Sequence, residues 1–385
     1  MSEVVIAGIG QTDVGEHYNI SLRDLALMAL ELAIEDAGGL QPDILFIGNM
    51  IAPAASHQAH LGALISDYGG LGGIEASTIE AGGASGGAAL RMGYLAVKSG
   101  EAKVALVVGV EKVTDQLGPG AETMQTLGED SDYEAVQGLT PNAQAALLMR
   151  RYMHQYGVTH DVFAGFPVLA HTNALTNPHA MYHNPVTLEA YCNADPLSDP
   201  LTLYDTAPVA DGAAAVILTI PELIPNLYPH PLVRITGSSL VTDRLAIHDR
   251  PDPLAFDAAR RSVERTCRQA GILPGDVDFF ELYDSYSIYS TLALEAAGFT
   301  SPGQGWKLAQ VGKLDREGEL PISTFGGLKA RGNPGGATGI YQAVEATLQL
   351  RGQAGANQVK DARRALIQCL AGPASTAVTH VLEAS

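Results

Sequence analysis

Glu80-Ala-Gly-Gly-Ala-Ser-Gly-Gly87 follows the strand-like run Ile74 to Glu80 and opens a small-residue helix that reaches Leu95. A strand that ends in paired glycines and passes at once into a helix offers free backbone N–H groups at the helix start, where the macrodipole favours an anion or oxyanion. Read from Gly83 to Gly87, the same stretch fits the Gly-x-Ser-x-Gly pattern of a hydrolase nucleophile elbow. In so glycine-rich a chain the pattern is weak, and no Asp then His follows in a matching downstream context, so a serine hydrolase is set aside. Gly8-Ile-Gly10 lacks the third glycine of a dinucleotide fingerprint.

On either side of this turn the chain alternates strands and helices. Val4 to Gly10, Asp43 to Ile47 and Val104 to Val110 read as strands, and Ser21 to Ala37 carries Leu22, Leu25, Ala26, Ala29, Leu30 and Ala33 at helical spacing. From Leu232 the plan repeats, with strands at Val233 to Thr236, Val277 to Leu282 and Ala365 to Cys369, and helices at Pro253 to Ala270, Ser287 to Ala297 and Thr338 to Leu350. A duplicated α/β chain predicts two similar halves with sheets covered by helices, related by a pseudo-twofold axis, and a ligand site where the strand ends and their loops converge. The expected division is residues 1–113 with 200–228 for the N-terminal half, 229–385 for the C-terminal half, and an inserted loop or lid domain at 114–199. That insertion is rich in Asn, His, Tyr and Pro, with a helix expected over Asn142 to Tyr156. Its His171, His179 and His183 lack a carboxylate or cysteine at a metal-ligand spacing and read as surface histidines, so no metal is expected.

With 385 residues and 46% hydrophobic content the chain can bury a sizeable core. Its formal charge of -19 repels phosphate backbones and anionic lipid surfaces, which argues against nucleic acid as a partner. The amino terminus, Met1-Ser-Glu-Val-Val-Ile-Ala-Gly-Ile-Gly10, carries no secretory pattern, and nowhere do about eighteen apolar residues run uninterrupted, so no membrane insertion is expected. Cys192, Cys267 and Cys369 are too few and too scattered for a disulfide framework, and a cytoplasmic location is expected.

Three further stretches carry chemistry: Glu281-Leu-Tyr-Asp-Ser-Tyr286, Gly326-Gly-Leu-Lys-Ala-Arg-Gly-Asn-Pro-Gly-Gly-Ala-Thr-Gly339 and Cys369-Leu-Ala-Gly372. With Glu80 to Gly87, Val107 to Lys112, Asp199 to Asp205 and Asp211 to Ala215, they resemble the thiolase superfamily over nearly the full length and in order, particularly the archaeal acetoacetyl-CoA thiolases and the sterol-carrier-protein type. The resemblance implies a duplicated thiolase fold, two mixed sheets in a layered α-β-α-β-α arrangement with an inserted loop domain. It also implies an acyl-CoA thioester as ligand, with coenzyme A entering as part of the substrate and no permanently bound cofactor. A homodimer or tetramer is implied, together with a small zinc-ribbon and OB-fold partner protein.

Within that resemblance the active-site positions are altered. Gly83 stands where the family keeps its acylated cysteine, and Asn333 stands where a histidine binds the thioester oxygen and activates that cysteine. Tyr283 replaces a histidine or asparagine, while Cys369 matches the second cysteine, which moves a proton at the substrate's α-carbon. Gly83, Ala84 and Ala371 are expected at the oxyanion-binding helix start, with Asp284 in support. Asn cannot titrate but can donate a hydrogen bond, so oxyanion binding survives while the nucleophile and its base are both gone. The expected reaction is C–C bond chemistry without an acyl-enzyme, such as retro-aldol cleavage of a β-hydroxyacyl-CoA with Tyr283 taking the hydroxyl proton. Some thiolase relatives are steroid side-chain aldolases that also carry tyrosine at the Tyr283 position, but they have a second tyrosine where this chain has Asn333. The rival readings are a non-catalytic thioester-binding scaffold and an acetyltransferase with a different nucleophile. Cys369 also reads as a small buried hydrophobe, and Tyr283 as a core aromatic whose hydroxyl is satisfied by Asp284 or backbone.

Overall fold

A computed structural model of the chain describes residues 3–116 and 120–385; residues 1–2 and 117–119, which fall in the expected N-terminal half and insertion, lie outside the described residues. The first half contains β1 (Val5–Gln11), α1 (Leu22–Asp36), β2 (Ile44–Gly48), α2 (Ala52–Ala55), α3 (Leu61–Tyr68), β3 (Glu75–Ile79), α4 (Ser85–Ser99) and β4 (Val104–Glu111). Next come α5 (Gly120–Gln125), α6 (Pro141–Tyr156), α7 (Gly165–Ala174), α8 (Leu188–Cys192), the short pair β5 (Pro196–Ser198) and β6 (Leu201–Thr202), and β7 (Gly212–Thr219). The remainder holds β8 (Val233–Thr242), α9 (Asp257–Ala270), β9 (Phe279–Glu281), α10 (Ser287–Ala296), α11 (Gly305–Gln310), α12 (Thr338–Leu350), β10 (Arg364–Ala371) and β11 (Thr376–Ala384).

Local chemistry sets the elements that frame the site. In α1 the Ser21 hydroxyl accepts the Asp24 N–H, capping the helix, and the six residues expected from periodicity are its buried face. Thr140 caps α6 in the same way, accepting from the Ala143 N–H at 3.3 Å. Strands β4 and β7 are buried along their whole length, as their unbroken apolar runs require.

Nine strands form one sheet in the order β3-β2-β4-β7-β1-β8-β11-β10-β9, with β5 and β6 as a separate pair. Outward from the middle, β1–β7 and β7–β4 are antiparallel and β4–β2 parallel; on the other side β8–β11 and β11–β10 are antiparallel and β10–β9 parallel. The duplication is therefore written in the pairing sense as well as in the sequence. The fifth strand, β3, has only a parallel bridge between Phe280 and Ile322 as its counterpart. The two half-sheets fuse through a two-residue ladder between β1 and β8, Val5 with Arg234 and Ile6 with Val233, which joins them into one continuous sheet.

This sheet wraps a central layer made of α4 and α12, each of which touches strands of both halves, while α1 and α9 cover the outer faces. The central helices approach backbone to backbone: a Cβ on Gly339 would collide with the Gly87 amide nitrogen, and one on Gly86 would lie 2.7 Å from the Gly336 carbonyl oxygen. That closeness places the turn before α4 against the glycine-rich segment before α12. No helix among the described residues is long and apolar enough to cross a membrane.

Candidate functional site

The turn before α4 is locked by Ser85, whose hydroxyl donates to the Gly82 carbonyl at 2.6 Å and accepts the Ala81 N–H at 2.9 Å. Ser85 is fully buried. It builds the turn and presents no nucleophile. The Ala84 N–H is spent on the Ala81 carbonyl at 3.1 Å and Ala84 is fully buried, so the expected oxyanion donor at that residue is not available.

A cavity of about 270 Å³ opens above the turn, and its walls include Gly82, Gly83, Tyr283, Asn333 and Ala371. At Gly83 a Cβ would run into the Tyr283 hydroxyl and would lie 2.8 Å from the Leu370 carbonyl oxygen. The phenol thus fills the volume that a side chain at position 83 would need. Burial drives the Tyr283 ionisation well above its ordinary range, with Cys369 next among the causes. The phenol keeps its proton and acts as a donor. The buried site penalises the phenolate, so its surroundings do not support the expectation that Tyr283 takes a substrate proton.

Asn333 is held at both ends of its backbone, its N–H donating to the Pro208 carbonyl at 3.0 Å and its carbonyl accepting the Ala210 N–H at 3.1 Å. The side-chain Oδ1 accepts the Gly335 N–H at 3.2 Å and the Thr338 hydroxyl at 3.4 Å, which fixes the amide orientation. Its Nδ2 makes no hydrogen bond to the described residues and is left as a donor at the cavity wall. Glu111, fully buried, clamps the same segment by accepting from the Gly336 N–H at 3.0 Å, from the Met50 N–H at 2.8 Å and from Asn49 Nδ2 at 2.8 Å. Burial pushes its carboxyl up to about 7.

Asp284 is buried away from the cavity. Its Oδ1 accepts the Leu328 N–H at 2.7 Å, anchoring the glycine-rich segment, and it makes no bond to the Tyr283 hydroxyl. Burial raises its carboxyl. Cys369 lies one layer behind Gly83, outside the cavity wall, with Sγ donating to the Gly83 carbonyl at 3.2 Å. Burial pushes its thiol up to about 12, so a thiolate is disfavoured at neutral pH. Of the expected residues, then, Tyr283, Asn333, Gly83 and Ala371 come together at one cavity, and Cys369, Ala84 and Asp284 stand behind it.

Sequence reasoning missed three residues of that wall. Tyr286 and Tyr289 follow Tyr283 at intervals of three, a visible spacing, and all three rings reach the cavity. The Tyr286 hydroxyl donates to Asn142 Oδ1 at 2.9 Å, tying α10 to α6. Glu129, from the segment between β4 and β7, gives no sequence signal at all. Its carboxyl lines the cavity and is pushed up to about 7, by burial first, with the Gln144 hydrogen bond lowering it and Glu134 raising it. Of the three candidate metal ligands, His171 is buried rather than superficial, with Nδ1 at 2.9 Å from the Asn184 carbonyl. His179 Nδ1 pairs with Asp13 at 2.7 Å, and no group of three or more potential ligands converges among the described residues.

Comparison with known proteins matches residues 4–222 to the family model described as thiolase, N-terminal domain, and residues 239–384 to thiolase C-terminal domain-like. The acetyl-CoA acetyltransferase of Methanothermobacter thermautotrophicus is 39% identical over 383 residues, 99% of each chain. That of Methanocaldococcus jannaschii is 36% identical, covering 91% of this chain and 90% of the other. The solved structure of the Ltp2-ChsH2(DUF35) aldolase superposes with a TM-score of 0.83 at 26% identity, covering 99% of this chain and 98% of that one.

Proposed function

This chain belongs to the thiolase family, and on that premise we propose that it acts on acyl-CoA thioesters, making or breaking a C–C bond by enolate chemistry without a cysteine acyl-enzyme. The observation that carries the reading is the shared volume of Gly83 and Tyr283: where the family's nucleophile would stand, a protonated phenol faces the cavity. Tyr283 and Asn333 Nδ2 are two uncharged donors on one wall, suited to a thioester oxygen that gains charge as an enolate forms. The likeness to a solved aldolase supports the lyase direction. Coenzyme A enters with the substrate, and the chain works as a homodimer or tetramer in the cytoplasm. The aldolase relative is named for two components, one of them DUF35, which supports a small partner protein here as well.

Acyl transfer is the second reading, favoured by the names of the two archaeal relatives. It requires a nucleophile, and Cys369 offers a buried thiol that donates to the Gly83 carbonyl. Incubation with short- and medium-chain β-hydroxyacyl-CoAs, with detection of released aldehyde or ketone, separates the readings. The lyase releases product and loses about 10²–10³-fold of that rate in Tyr283→Phe, the usual effect of removing one oxyanion donor. Thioester binding without turnover assigns the scaffold role instead.

A further inference from the structure

The inserted segment contributes a titratable group to the same cavity. Glu129 follows a short turn at Thr126–Gly128, is 9% exposed and lines the same cavity as Gly83. Its Oε2 accepts from Gln144 Nε2 at 2.6 Å, and Gln144, on α6, is fully buried. Its Oε1 makes no hydrogen bond to the described residues and would lie 3.9 Å from a Cβ placed on Gly372, a residue of the cavity wall beside Ala371. The carboxyl is therefore held by one oxygen and presented by the other.

The remaining ionisable residues do not supply a proton acceptor here. Tyr283 holds its proton, Cys369 stands behind the wall, and Asn333 does not titrate. Resting on the lyase reading above, we propose that Glu129 is a catalytic residue, the general base that takes the β-hydroxyl proton of a β-hydroxyacyl-CoA and returns it to the α-carbon. As the O–H proton passes to the Glu129 carboxylate, the O–H electron pair becomes the new C=O bond and the Cα–Cβ bond breaks. The released pair moves onto the thioester as an enolate, whose oxygen faces Tyr283 and Asn333 Nδ2. Return of the proton from Glu129 to Cα gives the shorter acyl-CoA and an aldehyde or ketone, with no oxidant and no net proton change.

The surroundings suit a group that both accepts and releases a proton near neutrality. Burial raises the carboxyl to about 7, the Gln144 amide and Arg250 favour its charged form, and Glu134 opposes it. Tyr289, on α10, also faces it and stays protonated. Glu134 itself is occupied, accepting the Ile247 N–H at 2.8 Å, which ties this loop to the C-terminal half.

The test uses the full chain with 3-hydroxybutyryl-CoA and longer 3-hydroxyacyl-CoAs, following aldehyde release across pH 5.5 to about 9, with acetyl-CoA affinity and thermal midpoint as controls. For Glu129→Gln a loss of about 10²–10⁴-fold is expected, the ordinary weight of a general base. The rising limb of the pH profile, set by the Glu129 carboxyl in the wild type, disappears with it, while affinity is kept and a cooperative thermal transition shows that the fold survives. Glu129→Asp restores part of the rate and the limb, and Tyr283→Phe lowers the rate with the limb intact. A wild type that releases aldehyde while Glu129→Gln retains both rate and limb overturns the assignment and leaves the lyase standing. A wild type that releases none from any of these thioesters overturns the lyase, and the assignment with it.

Discussion

Tyr283 and Gly83 compete for one volume, so neither can be understood alone. A cysteine at position 83 would place its Cβ against the Tyr283 hydroxyl. Overpacking a tight site of this kind costs about 1–3 kcal/mol, and Gly83→Cys is expected to lower stability by that amount in a denaturant titration. Adding Tyr283→Asn removes the hydroxyl contact but not the approach to the Leu370 carbonyl, so the double variant recovers part of the loss; additive effects of the two changes would show that they do not meet. The residues of this pair were readable from the sequence because each sits in a short motif of fixed spacing. Their contact was not, since it depends on side chains brought together only when the two halves fold. The depth of Cys369 and the retained proton of Tyr283 were unreadable for the same reason: both follow from burial, which a motif does not encode.

At the scale of elements, the site depends on how α12 and the segment before it are held. Arg331 donates to Glu345 of α12 at 2.8 Å, each side chain 1% exposed, and the guanidinium lies 4.9 Å from the centre of the Tyr341 ring. Removing one partner leaves a buried charge uncompensated, so Arg331→Ala is expected to cost about 3–5 kcal/mol, whereas Arg331→Met with Glu345→Met costs much less. Chemical denaturation of the three variants checks this; equal losses in the single and double variants would place the cost in packing alone. Most strands and helices of both halves were readable from apolar periodicity, down to the buried face of α1, but β7 and β11, each paired antiparallel with its neighbours inside the sheet, were not predicted. The two-residue ladder between β1 and β8 was not, because it is a contact between strand ends with no pattern of its own. Nor was α7, between β4 and β7, whose residues are buried nearly all round and so lack the one-sided pattern that marks a surface helix.

Over the whole molecule, buried carboxyls set a pH dependence. Burial pushes Glu111 and Glu129 up to about 7 and Glu281 up to about 8, from an ordinary 4.5. The folded chain then binds more protons than the unfolded one, so the stability from these groups is complete below the ordinary carboxylate range and is lost as pH rises through 7 and 8. His380, pushed down to about 3, acts in the opposite sense only below its ordinary 6.5, and Lys329, lowered to about 8, begins to offset the loss above that value. The thermal midpoint is therefore expected to fall between about pH 6.5 and 8, and to fall less in Glu281→Gln; a midpoint that rises across this window contradicts the assignment. The overall negative charge, readable at once, says nothing of this, because the effect comes from a few carboxyls sealed in the core. The absence of an acyl-enzyme is the claim on which the functional reading turns, and intact-mass analysis of the chain after incubation with acetyl-CoA tests it directly. The expected mass is that of the unmodified protein, whereas a stoichiometric acetyl adduct mapped to Cys369 would contradict it.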